Sequence, residues 1–209
     1  MHIIYENFQP NPGYLLAQLD PEQLAPIEQE VQAIAANQGQ DYPTAHQGLV
    51  GVINRAYHLT ASRSHVEQLV APLALAHRDH WFDPDGFIPR DQQLSLSALW
   101  VNFQQRLEYN PLHNHQGAYS FVIWLSIPYT RQQETDTGPG LRPDRPNGDF
   151  HFVYTNTLGQ IKSHPLNSYG QRQGQLCLFP AELNHIVYPY YSTQDLRVSV
   201  SGNLSWSTQ

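Results

Sequence analysis

The chain has 209 residues, 40% hydrophobic and 14% charged, a balance that predicts one packed domain and excludes a disordered chain. Eleven Lys and Arg against eighteen Asp and Glu give a net charge of −7 with no basic run, which argues against nucleic acid as the main partner. A single cysteine excludes an internal disulfide framework, and no stretch reaches the roughly 20 apolar residues a membrane helix needs. With no signal-peptide pattern at Met1–Glu6, the expectation is a soluble, cytoplasmic protein.

Asp20 followed by Pro21 marks a helix start, with a capping side chain and a residue whose missing N–H costs nothing in the first turn. The helix is expected to run to about Asn37, with Leu24, Ile27, Val31 and Ile34 on one face. Gly48–Ile53 reads as a strand or a buried loop. A second helix is expected from Ser64 to about His80, with Val66, Leu69, Val70, Leu73 and Leu75 apolar and Pro72 kinking or interrupting it. Residues 1–93 thus read as a helical support.

From Leu94 onward the pattern changes to short runs of β-branched and aromatic residues between Gly, Pro and Asn turns. The expected strands are Leu99–Gln105, Ser120–Ile127, Phe150–Tyr154, Gln175–Phe179, His185–Tyr188 and Leu196–Asn203. Cys177 falls inside one of them and reads as a buried, inert thiol. Arg131–Asn147 is polar, aperiodic and rich in Pro and Gly, which predicts a long loop and a candidate lid. Residues 94–209 form the expected β core.

Eleven histidines make a pair unsurprising, so position must separate them. His2, His46, His58, His65, His77, His80 and His164 read as solvated, and His151 is ambiguous. His113 and His115 differ, because residues i and i+2 on an extended segment point to one side and can face one ion. Seventy residues on, Gly174–Pro180 reads as a turn and buried strand, and Ala181–Asn184 carries the chain round to His185. A histidine so placed can complete a three-ligand face with open positions. Arg197 and Ser199 share a face of the last strand and offer a forked cation and a hydroxyl to a carboxylate.

Taken together, Trp100-Val101-Asn102, Asn110-Pro111-Leu112-His113-Asn114-His115, Gly174–Pro180 with His185, and Arg197-Val198-Ser199 resemble the iron(II)- and 2-oxoglutarate-dependent dioxygenases. The likeness is strongest to their small phage and bacterial members. It implies a mainly β fold with flanking helices around a double-stranded β-helix, or jelly-roll, core. It also implies an oxygenase, expected to be a hydroxylase, that couples oxidative decarboxylation of 2-oxoglutarate to C–H oxidation of a small-molecule or peptide substrate with O2.

By the resemblance, His113 and His185 are iron ligands, Arg197 with Ser199 receives the far carboxylate of 2-oxoglutarate, and Asn102 adds a hydrogen bond. His115 stands where the wider superfamily has Asp or Glu, so the expected metal set is His113, His115 and His185. Tyr109, Tyr119 and Trp124 are candidates for the pocket wall.

Two other readings compete. A cupin also uses H-x-H and a later His, and Gly174, Pro180 and His185 fit its spacing, but Tyr119 and Ser120 stand where its Glu belongs. Such a protein would be a dioxygenase or isomerase that does not use 2-oxoglutarate. A non-enzymatic jelly-roll binding protein would treat the histidines as incidental.

Overall fold

The computed structural model describes residues 1–6, 13–45, 50–81, 93–140, 145–166 and 173–206. Among these residues eleven strands and three helices follow in the order β1 (His2–Glu6), β2 (Tyr14–Gln18), α1 (Pro21–Ala36), β3 (Ala56–His58), α2 (Arg63–Trp81), β4 (Leu94–Gln104), β5 (Asn110–His113), β6 (Tyr119–Ser126), α3 (Arg131–Thr137), β7 (Phe150–Thr155), β8 (Ile161–Leu166), β9 (Gln175–Pro180), β10 (His185–Val187) and β11 (Arg197–Trp206). The major sheet has the order β1-β2-β9-β6-β11-β4-β3, and the minor sheet β5-β10-β7-β8. Every strand pairing is antiparallel. This is the expected jelly-roll core.

The period-two alternation of the strands sorts side chains onto two buried faces. Toward the helices the major sheet turns Leu15, Leu99, Val101, Phe103, Phe121, Ile123, Leu176, Leu178 and Val200, which pack with Ile27, Val31 and Ile34 of α1 and Val66, Val70 and Leu73 of α2. Toward the minor sheet it turns Leu16, Val122, Trp124, Cys177 and Phe179, which meet Phe150 and Phe152 of β7. Each fully buried aliphatic or aromatic side chain contributes about 1.5–3 kcal/mol, so both faces hold the sheet in place. Cys177 is buried, as expected.

Three expectations need correction. Residues 1–93 are not only helical: β1, β2 and β3 extend the major sheet at its two edges. Alternation over three to five residues is too short to separate from loop by pattern alone. Arg131–Asn147 is not a continuous loop, because Thr130 and Gln133 form a capping box that starts α3. Of that stretch, residues 141–144 lie outside the described residues. His77 is fully buried rather than solvated, and its Nε2–H donates to the carbonyl of Gly13 at 3.1 Å. Its position follows Val66, Val70 and Leu73 at helical steps on the inward face of α2.

Pro72 removes one backbone donor from α2 without ending the helix. Of Gly48–Ile53, residues 48–49 lie outside the described residues, as does His46, and the remainder is irregular. Among the described residues no helix is long and apolar enough to cross a membrane.

One buried carboxylate ties the two helices together. Glu30 of α1 accepts from the backbone N–H groups of Thr60, Ala61 and Ser62 at 2.7–2.8 Å and from the Ser62 hydroxyl at 2.6 Å. These donors immediately precede α2, at the end of the helix whose dipole favours an anion. Burial works to raise the pKa of Glu30, but the hydroxyl and the three amides outweigh it and hold the carboxyl below its ordinary value.

A Glu30→Gln variant should therefore lose about 2–3 kcal/mol in urea denaturation at neutral pH, the range of a charge-assisted hydrogen-bond set broken in a buried site. Because the folded pKa is depressed, this contribution is present above the unfolded value of about 4.3 and is lost as pH falls through the folded one. The gap between wild type and variant should narrow below about pH 4. A gap that stays constant in acid would count against the carboxylate as its source.

Candidate active site

β4 and β11 lie side by side with Gln104 opposite Arg197, Asn102 opposite Ser199 and Trp100 opposite Ser201. All six residues line a cavity between the two sheets. Over β9 and β6 the space between the sheets is filled by Phe179, Val122 and Trp124, while over β4 and β11 it is polar.

The opposite wall carries the histidines. His113 ends β5 and His185 begins β10, and the two are paired directly across the strands. The turn that delivers His185 closes with Leu183 N–H donating to Pro180 O. His115 lies just past β5, and its N–H donates to Ala181 O at 2.9 Å, which ties it to that same turn. Ring centroids are 4.2 Å apart for His113 and His185, 5.0 Å for His113 and His115, and 5.1 Å for His115 and His185. One nitrogen from each ring falls within 4.8 Å of the others.

The three imidazoles are held neutral with lone pairs available. His113 Nδ1–H donates to Pro111 O at 2.7 Å and His185 Nδ1–H to Leu183 O at 2.9 Å, which leaves each Nε2 bare. Burial pushes the His113 pKa down against the opposing effect of its carbonyl partner. Burial and then the neighbouring His113 push His115 down to about 4. His185 is held well below its ordinary value, by burial first and then by the neighbouring His113; its ring stacks on Phe150 and is met edge-on by Phe179.

Arg197 is 2% exposed, and no carboxylate pairs with it among the described residues. Its Nη1 donates to Tyr129 OH at 2.6 Å and to Gly148 O at 2.9 Å, while Nε and Nη2 both donate to Gln104 Oε1. Four of the five guanidinium donors are thus used on neutral acceptors, leaving one Nη2–H. A buried, uncompensated cation is costly, and an anion in the cavity would relieve it. The preceding Asp195 is exposed and forms no ion pair with it.

Each residue singled out in sequence can now be located. His113, His115, His185, Arg197, Ser199 and Asn102 all border the one cavity. Trp124 joins them, whereas Tyr119 packs on the helix side of the sheet and Tyr109 is exposed. His151 bonds Asp149 and Ser163 and does not line the cavity. Among the described residues, Arg131–Asn147 contributes no lining residue to this cavity. Instead Glu134 of α3 binds the backbone of Tyr191 and Ser192. Gln104 and Tyr129 were not picked out in sequence. Parity with Trp100 and Asn102 would have found Gln104. Nothing local marks Tyr129.

A family model described as "Putative 2OG-Fe(II) oxygenase" matches residues 98–203, half of the chain. The chain belongs to this 2OG-Fe(II) oxygenase family. It is an enzyme that depends on Fe(II) and 2-oxoglutarate and consumes O2. No curated protein matches it in sequence.

Among solved structures, the oxygenase is similar in fold to a Pseudomonas putida prolyl-4-hydroxylase at 13% identity, covering 92% of this chain and 90% of that one with TM-score 0.55. A Trichoplax adhaerens prolyl hydroxylase in complex with a hypoxia inducible factor peptide fragment is similar at 13% identity, 93% and 83% coverage and TM-score 0.57. HygX from Streptomyces hygroscopicus, with nickel, 2-oxoglutarate and hygromycin B bound, is similar at 11% identity, 92% and 82% coverage and TM-score 0.54. The donor set present fits such a metal: three neutral imidazoles, two of them with their second nitrogen fixed by a backbone carbonyl, suit a divalent first-row ion.

The hydroxyl of Tyr129 accepts from Arg197 and donates to Gly148 O at 2.9 Å. Tyr129→Phe strands a buried guanidinium N–H and should cost about 1–3 kcal/mol in urea denaturation. A loss under about 0.5 kcal/mol would mean that water or another acceptor replaces the hydroxyl without penalty.

Proposed function

We propose that the chain is a hydroxylase that couples decarboxylation of 2-oxoglutarate to C–H oxidation of a small-molecule or peptide substrate. His113, His115 and His185 hold the iron, and Arg197 with Ser199 and Asn102 receives the far carboxylate of 2-oxoglutarate. The observation that carries this reading is the meeting, in one cavity, of three bare imidazole nitrogens and a buried arginine without an anion. The similar structures support the breadth of substrate: one is complexed with a peptide fragment and another holds hygromycin B.

Bound here, iron would activate O2, the oxidant, with 2-oxoglutarate giving up two electrons as it loses CO2 and the substrate C–H bond giving the other two. The chain supplies position and exclusion of water. Pro111 O and Leu183 O fix two imidazole tautomers before any ligand arrives, so little reorganisation accompanies binding. Gln104, Tyr129 and Gly148 fix the guanidinium in the same way. Phe150, Phe179 and Trp124 keep the space around His185 dry.

Calorimetry with Mn(II) as an oxygen-inert surrogate tests the assignment. His113→Ala and His185→Ala should reduce metal binding to background, whereas His115→Asp should strengthen it roughly tenfold, the effect of one added charge worth about 1.4 kcal/mol. Arg197→Ala should weaken metal-dependent binding of 2-oxoglutarate by about 10–100-fold, the loss of one charge-assisted contact. Failure of the wild type to bind 2-oxoglutarate in the presence of Mn(II) would overturn the reading.

A further inference from the structure

Gln104 ends β4 and is 3% exposed, with both ends of its side-chain amide engaged. Its Oε1 accepts from Nε and Nη2 of Arg197, and its Nε2–H donates to the carbonyl of Glu108 at 2.6 Å. The reverse orientation would set amide N–H groups against the guanidinium and an oxygen against that carbonyl. Glu108 O therefore fixes which end of the amide meets the arginine. One neutral oxygen occupies the edge of the guanidinium that a carboxylate would grip with two.

Acidic residues adjoin this network, yet each is turned away from the cation. Glu108 lends Gln104 its backbone carbonyl, but its carboxylate accepts from Asn54 and from the N–H of Gln105. Asp149 follows Gly148, whose carbonyl accepts from Arg197, but its own carboxylate meets Arg131 and His151, each at 3.2 Å. Glu134 is committed to the N–H groups of Tyr191 and Ser192.

A glutamate at position 104 would be the simplest way to compensate Arg197. It has the size of glutamine and would face Nε and Nη2 with a full charge. The chain carries the neutral isostere instead, so the guanidinium is held in a fixed plane with its charge unspent and one Nη2–H open to the cavity. A ligand with a carboxylate at that point completes a buried ion pair. A ligand with a neutral group there gains no more than an ordinary hydrogen bond.

Resting on the assignment of Arg197 to the far carboxylate of 2-oxoglutarate, we propose that Gln104 is a positioning residue that sets the selectivity of the cosubstrate site. It clamps the guanidinium without neutralising it, and so makes a second carboxylate the condition of tight binding.

Calorimetry on the full chain with Mn(II) tests this with two ligands, 2-oxoglutarate and 2-oxopentanoate, which share the keto acid and chain length but differ in the far carboxylate. The wild type should prefer 2-oxoglutarate by at least about tenfold. Gln104→Glu should weaken 2-oxoglutarate by at least about tenfold and leave 2-oxopentanoate and Mn(II) binding unchanged, which erases the preference. Gln104→Met removes the clamp without adding charge, and should weaken 2-oxoglutarate by less than Gln104→Glu does. A merely structural role predicts the opposite order, because glutamate keeps the hydrogen bonds to Arg197 and methionine keeps none. Full 2-oxoglutarate affinity in Gln104→Glu, equal weakening of both ligands, or a larger loss in Gln104→Met would overturn the proposal. If thermal denaturation shows that Gln104→Glu does not fold, loss of the preference in Gln104→Met is enough to overturn it. A wild type that binds no 2-oxoglutarate would instead sink the assignment of Arg197.

Discussion

The central strands of the major sheet are buried on both faces, and the features of the site follow from that constraint. A sheet covered on one side alternates apolar with polar along each strand, but here β6 and β9 are apolar at nearly every position because helices cover one face and β7 the other. Only β4 and β11 break the pattern. Trp100, Asn102 and Gln104 alternate with Leu99, Val101 and Phe103, and Arg197, Ser199 and Ser201 stand opposite them. Polar groups facing a second sheet would be penalised if the sheets closed on them. The cavity is where they do not close.

Rigidity around this opening comes from buried glutamates more than from ion pairs. Glu30 gathers the amides that precede α2, Glu108 accepts from Asn54 and Gln105, and Glu134 accepts from Tyr191 and Ser192. Each carboxylate substitutes for the regular ladder where the backbone leaves it, which answers the requirement that buried N–H groups find acceptors. Two of the three bear on the site. Glu108 joins the 50–54 segment to the turn before β5, and Glu134 fixes the chain next to Tyr190, which stacks on Tyr129 behind Arg197.

Much of this was legible in the sequence because it rests on periodicity. The face of α1, the strands from β4 onward and the shared side of His113 and His115 follow from steps of 3.6 and 2. His77 was within reach of the same rule, yet its polarity outweighed its position. What the sequence did not disclose depends on contacts distant along the chain: Tyr129 beside Arg197, Phe150 stacked on His185, and α3 anchored through Glu134. Neither spacing nor composition encodes those meetings, and the Pro- and Gly-rich neighbourhood of α3 concealed a seven-residue helix behind its capping box.

The charge of the cavity gives the proposed site its character. Among the described residues no Asp or Glu lines it, and the only fixed charge they bring to it is the guanidinium of Arg197. On the proposed assignment a divalent ion then enters a cavity that already holds a cation, with three neutral imidazoles as ligands. An aspartate at position 115 would offset one unit of that charge, but His115 offsets none. The dianionic cosubstrate therefore becomes the principal counter-ion for both Arg197 and the metal. Two ligands that each relieve the charge imposed by the other bind with positive coupling, and linkage makes that coupling reciprocal. On that assignment the neutral residue at position 115 would shift part of the metal's retention from the protein to 2-oxoglutarate.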